Sequence, residues 1–159
     1  MPNWTSNRLR IQTDSLSETE FKKIAELKEI FKSDSPFNKI IPQPDWSTIP
    51  NEDGELPVIK EYKNHLGEVD FTITEFPSSG KQDDRWYSWC NQNWGTKWDA
   101  CHVQITRDDK DYLEIRFDTA WSPATPVIEK IRELYEDDEY WTRVTCLYEL
   151  EGYEDCGYV

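Results

Sequence analysis

Carboxylates crowd the C-terminal part of the chain, and they are the first candidates for binding chemistry. From position 133 onward a single basic residue, Arg143, opposes nine acidic ones: Glu133, Glu136, Asp137, Asp138, Glu139, Glu149, Glu151, Glu154 and Asp155. A band of negative charge this dense resembles the phosphates of DNA and could fill a groove that another protein keeps for nucleic acid. A solvated acidic face that only keeps the chain soluble explains the same residues. The sequence leaves both interpretations open.

Aromatic rings form the second concentration of candidate binding residues. The segment 86–98 holds four of the eight tryptophans: Trp86, Trp89, Trp94 and Trp98. Indole faces stack on bases, sugars and cations, so this segment could serve as a ligand platform. The same rings could instead fill the core of a domain that has few aliphatic side chains. Ligand binding at this segment is therefore the alternative function that the sequence suggests.

The patterns that usually carry catalysis or metal binding do not occur. The cysteines at positions 90, 101, 146 and 156 form no C-x-x-C pair, and His65 and His102 are not spaced as metal ligands. No glycine-rich phosphate loop and no serine-nucleophile motif occurs. Paired carboxylates are too common in so acidic a chain to indicate a general acid or base. We predict a protein that is not an enzyme, takes no cofactor or metal, and keeps its cysteines as packed, reduced thiols.

The overall charge narrows the classes of partner. The 159 residues include 18 Lys and Arg against 32 Asp and Glu, a formal net charge of −14. This balance disfavours direct binding to nucleic acid or to an anionic membrane. The 14% aromatic fraction argues for a folded chain. No apolar run approaches the ~20 residues of a membrane span, and no signal peptide is visible. We expect one domain over 1–159, located in the cytoplasm.

Hydrophobic periodicity predicts the elements that must position these residues. Residues 3–13 alternate as a half-buried strand, and Ser17 with Glu20 is a capping-box pattern that opens a helix over 17–32. Further elements are expected as a short helix at 58–65, a strand at 69–76, hairpin strands at 101–106 and 112–117, a helix after Ser122 and a strand at 140–149.

The order of these elements predicts the fold class. A β-α-β-β-α-β order is typical of the ferredoxin-like α+β sandwich, in which an antiparallel sheet carries two helices on one face. Prolines punctuate the stretch that follows the first helix. Residues from about 33 to 99 are therefore expected to form a long irregular insert, and 133–159 an acidic C-terminal part.

Several segments together resemble one protein family. They are MPNW at 1–4 with NRL at 7–9, FNKIIP at 37–42, NWGTKWDA at 93–100 and FDTAWSP at 117–123. In type and order they resemble the YubB ferredoxin-like domain family of phage and plasmid proteins. The resemblance implies a ferredoxin-like fold, which agrees with the periodicity, and an origin in a mobile genetic element. It implies no catalytic residues, because the family has no assigned activity.

Two functional hypotheses follow from different classes of protein. The first is a non-enzymatic inhibitor of a host defence system, anti-CRISPR or anti-restriction, which acts as a DNA mimic in the host cytoplasm. Its acidic C-terminal residues would dock on a basic, nucleic-acid-binding surface of the partner. The alternative is a module that binds a small ligand or single-stranded nucleic acid through the segment 86–98. A virion component with a solubilising charge is compatible with the same residues as the first hypothesis.

Overall fold

A computed structural model describes residues 3–152 and 155–159, and the chain forms two compact units. The first unit comprises the residues up to Pro42 and those from Cys90 onward, and the second comprises Gln43–Trp89. The elements are β1 (Trp4–Gln12), α1 (Glu18–Phe31), α2 (Pro36–Ile40), a 3₁₀ turn (Trp46–Thr48), β2 (Val58–Lys63), β3 (Val69–Glu75), α3 (Arg85–Asn93), β4 (Cys101–Asp108), β5 (Tyr112–Ala120), α4 (Thr125–Tyr135), β6 (Arg143–Leu150) and β7 (Cys156–Tyr158). No helix among the described residues is long and apolar enough to cross a membrane.

The first unit is built on a five-stranded antiparallel sheet. The strand order is β4-β5-β1-β6-β7, so β1 lies at the centre between β5 and β6. The elements β1, α1, β4, β5, α4 and β6 follow the expected β-α-β-β-α-β order, and the predicted ferredoxin-like fold is confirmed. The short strand β7 extends the sheet beyond β6. It was not predicted, because three residues are too few to show an alternating pattern.

The core of this unit lies between the sheet and the two long helices. In β1 the fully buried Leu9 is in register with Ile115 of β5 and with Cys146 of β6, which places the three on one face. Phe31 at the end of α1 packs on Phe117 of β5 with 5.4 Å between the ring centroids. Burial of each such apolar side chain stabilises the fold by about 1.5–3 kcal/mol. On the opposite face the residues of β1 are half-buried or exposed.

The capping box predicted at the start of α1 does not form. Ser17 stands at the N-cap position, but its side chain makes no capping hydrogen bond. The carboxylate of Glu20 is 1% exposed and instead pairs with Lys23 at 2.7 Å and accepts a hydrogen bond from the Thr142 hydroxyl. A tertiary hydrogen bond to a residue 122 positions away has therefore replaced the local one. Leu16, the residue before this N-cap, is 88% exposed.

The predicted irregular insert contains several regular elements. The helix predicted at 58–65 is wrong, because Val58–Lys63 is strand β2, which pairs with β3 in an antiparallel hairpin. The strand predicted at 69–76 is confirmed as β3. The turn between them is held by Asn64, whose side-chain oxygen accepts from the amides of Leu66 and Glu68. β-Branched and aromatic residues of β2 favour a strand once such a turn is available.

Arg85 organises the second unit. Its guanidinium makes two hydrogen bonds of 2.8 Å to the Asp83 carboxylate and reaches the carbonyl oxygens of Trp46, Ile49 and Pro50. It also lies 5.2 Å from the ring centroids of Trp46 and Phe76. A planar guanidinium can make all these contacts at once, which an ammonium cannot. One side chain thus connects the 3₁₀ turn, the end of the hairpin and the start of α3.

Candidate binding site on the open face of the sheet

The face of the five-stranded sheet opposite the helices carries a distinctive set of polar and aromatic side chains. Along β1 the buried positions alternate with Trp4, Ser6, Arg8 and Arg10, which all point to this side. We call this surface, with the residues in register beside these four on β4, β5 and β6, the open face. The strict alternation of β1 decides its composition, because the buried residues occupy every second position and point to the opposite face.

Three arginines surround one carboxylate in the middle of the open face. Arg8 of β1 is the direct cross-strand partner of Arg116 of β5, and the next pair along is Arg10 with Glu114. The Glu114 carboxylate lies 2.8 Å from Nε of Arg10 and 3.6 Å from Nε of Arg116. Arg8 forms no salt bridge with any residue that the structure describes. This patch therefore has a net positive charge in a chain whose total charge is strongly negative.

The electrostatics at Glu114 reflect the arginines around it. Burial opposes ionisation of its carboxyl, but hydrogen bonds from Arg10 and Thr106 and the nearby charge of Arg8 outweigh that effect and lower its pKa. The Glu114 carboxyl group therefore stays ionised, and its charge neutralises about one of the three guanidinium charges.

Aromatic side chains occupy one end of the open face. The Trp4 ring lies 6.2 Å from that of Trp98 and 5.4 Å from that of His102, measured between centroids. The Nδ1 atom of His102 is 2.9 Å from an Asp118 carboxylate oxygen. The Lys97 ammonium lies 4.6 Å from the Trp98 ring centroid and 5.4 Å from that of Trp121. Rings of this kind, partly accessible and held by neighbours, are suited to stacking on a planar ligand.

The backbone around the aromatic end adopts unusual conformations. His102 and Trp121 have φ angles of 51° and 67°, in the left-handed region that bulky side chains rarely adopt. The Trp121 amide donates to the carbonyl of Asn3 at 2.9 Å, which holds this segment against the start of β1. Strained conformations of this kind cost about 1–3 kcal/mol each and cluster at functional sites. Trp121 is 47% exposed, so burial of its side chain does not by itself offset the cost of the strained backbone.

Two adjoining depressions lie on the open face. The larger, about 450 Å³, is lined by Trp4, Ser6, Asp118, Glu149 and Glu151 among others. The smaller, about 50 Å³, lies between Arg8 and Arg116 and shares Ser6 and Glu149 with the larger. The first is rich in hydrogen-bond acceptors beside an indole ring, and the second is bordered by two guanidinium groups. Together they offer a place for a planar group next to a place for an anion.

The four tryptophans predicted as a platform do not act together. Trp86 and Trp89 belong to the second unit. Trp94 is 2% exposed, packs on Phe37 and donates its ring N–H to the carbonyl of Ile41 at 2.9 Å. Only Trp98 lies at the open face. For Trp94 the alternative interpretation, a ring that fills the core, is the one the structure supports.

The predicted acidic residues fall into two groups at opposite ends of β6. Those before the strand are Glu133, Glu136, Asp137, Asp138 and Glu139, and those after or near its end are Glu149, Glu151 and Asp155. Glu154 lies outside the described residues. Eight residues of strand separate the groups, a distance of about 25 Å. The carboxylates therefore do not form one continuous band.

Local cations and hydrogen bonds already engage part of this acidic charge. Glu133 pairs with Lys130 at 2.9 Å, Asp138 with Arg143 at 2.9 Å, and Asp137 with Lys23 at 3.5 Å. Glu136 accepts from the Val144 amide and Glu151 from the Trp4 amide. Each such contact weakens the field that a distant partner would experience. Glu139 remains exposed in the turn before β6.

Two of the four thiols are buried, and burial disfavours their ionisation. Burial, with the nearby charge of Asp99, raises the pKa of the Cys90 thiol to about 11, and burial raises that of Cys146 to about 12. Thiolates are the reactive form of cysteine, so neither side chain is a nucleophile at neutral pH. Over residues 3–152 and 155–159 no group of three or more His, Cys, Asp or Glu side chains is placed to hold a metal ion.

A family model supports the ferredoxin-like class that the fold defines. Residues 93–159, from the end of α3 through β7, match the family model described as the ferredoxin-like domain in Api92-like protein. The matched model has the Api92 name and not the YubB name suggested by the sequence. The crystal structure of protein api92 from Yersinia pseudotuberculosis resembles this chain with a TM-score of 0.49 at 12% identity, covering 99% of this chain and 93% of that one. No curated protein matches the chain.

The residues of the open face were partly visible in the sequence. The alternation of β1 and β5 already separated Arg8, Arg10 and Arg116 from their apolar neighbours. The missing information was the register, which brings Arg8 opposite Arg116 although they are 108 positions apart. Aromatic density in the sequence points to the segment 86–98 and gives no signal for Trp4, which stands apart from the other tryptophans.

Proposed function

We propose that this protein is a non-enzymatic binding module that holds a short stretch of single-stranded nucleic acid on the open face of its sheet. The observation that carries the proposal is the Arg8–Arg116 pair. Like charges directly opposite each other in neighbouring strands destabilise a sheet. An anion bound between them would turn this repulsion into attraction, and phosphate is an anion that guanidinium groups bind with two hydrogen bonds.

The aromatic end of the open face supports the same proposal. Bases of a single strand are unstacked and can lie on Trp4, Trp98 or His102, whereas in a duplex their faces are covered. Such stacking contributes about 1–3 kcal/mol per base. From Trp4 to Arg10 the strand β1 extends about 20 Å. This length accommodates about two or three nucleotides, the number commonly stacked on a sheet of this class.

The net charge of −14 limits the ligand. A long duplex would bring many phosphates close to the acidic groups at both ends of β6, and the repulsion would exceed the gain at three arginines. A few nucleotides would contact the positive patch alone. The positive charge of the arginine patch therefore allows nucleic-acid binding, which the net charge of the chain disfavours, when the ligand is short and single-stranded.

A binding experiment with paired variants tests the proposal. Fluorescence anisotropy of labelled single-stranded DNA and RNA oligonucleotides, with duplexes of the same sequence, would be measured over a range of salt concentrations. The variant Arg8→Ser/Arg116→Ser should bind single strands at least about tenfold more weakly. Each phosphate contact contributes about 0.7 to the salt slope for single strands, so the slope should fall by about 1.4.

The matched control removes the same charge from the other side of the sheet. Lys32→Ser/Lys130→Ser changes two exposed cations next to α1 and on α4, and it should bind like the wild type. Equal losses in both double variants would mean that only net charge matters. No detectable binding by the wild type at low salt would overturn the proposal.

The inhibitor hypothesis remains a second candidate, and the exposed turn before β6 favours it. The Asp138 side chain is 97% exposed and its neighbour Glu139 is also exposed, at one end of the sheet. In this proposal the chain is a phage or plasmid protein of the YubB type in the host cytoplasm. It would dock this turn on a host defence protein with a basic, nucleic-acid-binding surface.

Charge reversal in the turn tests the second candidate. Asp138→Lys/Glu139→Lys leaves in place Asp137, whose carboxylate accepts from the backbone amides of Glu139 and Tyr140. Pull-down from host lysate should capture a nucleic-acid-binding protein at low salt, and both high salt and this variant should release it. The control Glu52→Lys/Asp53→Lys makes the same charge change in the second unit. Capture that neither salt nor the turn variant affects would reject the electrostatic mechanism.

A further inference from the structure

The two depressions on the open face differ in the chemistry that lines them. The larger presents three carboxylates, of Asp118, Glu149 and Glu151, beside the Trp4 ring. The smaller presents the guanidinium groups of Arg8 and Arg116. They meet at Ser6 and Glu149, which line both. A ligand that fills both must therefore carry hydrogen-bond donors on a planar group at one end and a negative charge at the other.

A nucleotide has this polarity only if its base presents donors on its accessible edge. Uracil and thymine present mainly carbonyl oxygens there, which carboxylates repel. Guanine presents a ring N–H and an amino group side by side, and a single carboxylate can accept from both. Its phosphate would extend toward the arginines, because the two depressions adjoin.

Among the carboxylates of the larger depression, Glu149 is the one with both oxygens available. Asp118 engages the His102 ring, and one oxygen of Glu151 accepts from the Trp4 amide at 2.9 Å. Within residues 3–152 and 155–159, the carboxylate of Glu149 has no hydrogen-bond or ion-pair partner, although its backbone is paired in the sheet. It lies on β6 in register with Ser6 of β1, beside both depressions.

We infer that the open face selects guanine, with the base stacked against Trp4, its donor edge on the Glu149 carboxylate and its phosphate between Arg8 and Arg116. This inference rests on the proposed function and adds to it a preference among bases. The acidic residue at the site is then a selectivity element, since it disfavours bases whose edge carries mainly acceptors.

The test compares uridine oligonucleotides in which one position is guanosine, inosine or uridine, with binding followed by anisotropy. Inosine differs from guanosine only in lacking the amino group. We expect the guanosine strand to bind about tenfold more tightly than the uridine strand, with inosine in between. Glu149→Gln should remove this preference and leave the affinity for the uridine strand unchanged or higher. The control Glu18→Gln, at the start of α1, should keep the preference.

The outcomes separate the inference from the proposed function. If all three strands bind equally and Arg8→Ser/Arg116→Ser still weakens them, the guanine preference is wrong and the binding module stands. If no strand binds, both fail. If spermidine competes with the oligonucleotides at the site and Glu149→Gln abolishes its binding, the larger depression is a cation site, which also overturns the guanine assignment.

Discussion

Arg8 and Arg116 face each other across the central pair of strands, in register between β1 and β5. The carboxylate of Glu114 lies beside both arginines, and Glu149 lines the same small depression. A pair of like charges in this arrangement reduces stability by a fraction of a kilocalorie per mole to about 1 kcal/mol. The sheet therefore carries at its centre an interaction that weakens the folded state and prepares the surface for an anion.

Replacing Arg8 with threonine should stabilise the protein while weakening its binding. Threonine favours strands, and the change removes the repulsion, so we expect the free energy of unfolding to rise by about 0.5 kcal/mol. Urea denaturation measures this. Arg10→Thr, two residues along the same strand, is the matched control: it removes the 2.8 Å bond to Glu114 and should lower stability by about 1 kcal/mol. A loss of stability in Arg8→Thr equal to that in Arg10→Thr would contradict the repulsion.

Stability of the second unit should depend on pH through Asp83. The hydrogen bonds from Arg85 lower the pKa of the Asp83 carboxyl below its ordinary 3.8, although burial opposes this. A lowered pKa in the folded state means that the ion pair stabilises the unit above about pH 4 and that this contribution is lost as the pH falls further. Asp83→Asn should therefore weaken the unit by about 1–3 kcal/mol at neutral pH.

Amide hydrogen exchange of strand β3 reports on this unit separately. The Asp83 amide donates to Thr74 on that strand, so exchange there follows local opening. We expect wild type and Asp83→Asn to differ at pH 6 and to converge below pH 4. The variant Asp84→Asn, at the exposed neighbouring position, should match the wild type throughout. A difference that persists in acid would show that the carboxylate charge is not the cause.

The buried carboxylate of Glu20 should be worth more to the fold than any exposed acidic residue. Its hydrogen bond to Thr142 and ion pair with Lys23 tie α1 to the segment before β6, and the Glu20 partner raises the pKa of Lys23. Glu20→Ala should lower the free energy of unfolding by about 2–4 kcal/mol in urea denaturation. Glu29→Ala, which removes only an exposed pair on the same helix, should cost less than about 0.5 kcal/mol.

Glu20 also illustrates what could be predicted from the sequence. The start of α1 was located within one residue, because capping residues and apolar periodicity are local signals. The partner of Glu20 is Thr142, which no local pattern can indicate. The same limit applies to the open face: strand alternation sorted Arg8 and Arg116 to the solvent side, but only the pairing of β1 with β5 placed them together.

Two other segments differ from the prediction because contacts between distant residues decide their structure. Val58–Lys63 has mixed polarity with no clean period, so its neighbour β3 decided its conformation. The sequence does not predict the helix Arg85–Asn93, because its tryptophans suggest a ligand platform and not the apolar side of an amphipathic helix. In the acidic C-terminal part, the sequence shows the density of negative charge. It does not show that strand β6 separates the carboxylates into two groups.

The four thiols should react in an order that burial dictates. Cys156 is exposed on β7, whereas Cys90 and Cys146 are buried and burial raises the pKa of their thiols to about 11 and about 12. Cys101 is partly buried, and burial raises its pKa as well. Because alkylation requires an accessible thiolate, iodoacetamide at pH 7.5 should modify Cys156 first and leave Cys90 and Cys146 intact in the folded protein. Intact-mass spectrometry followed over time, with peptide mapping, measures the order, and the same reaction in urea should modify all four.

Rapid alkylation of Cys90 under native conditions would show that the segment around it opens readily, and Trp94, packed one turn further along, should then show enhanced quenching by acrylamide.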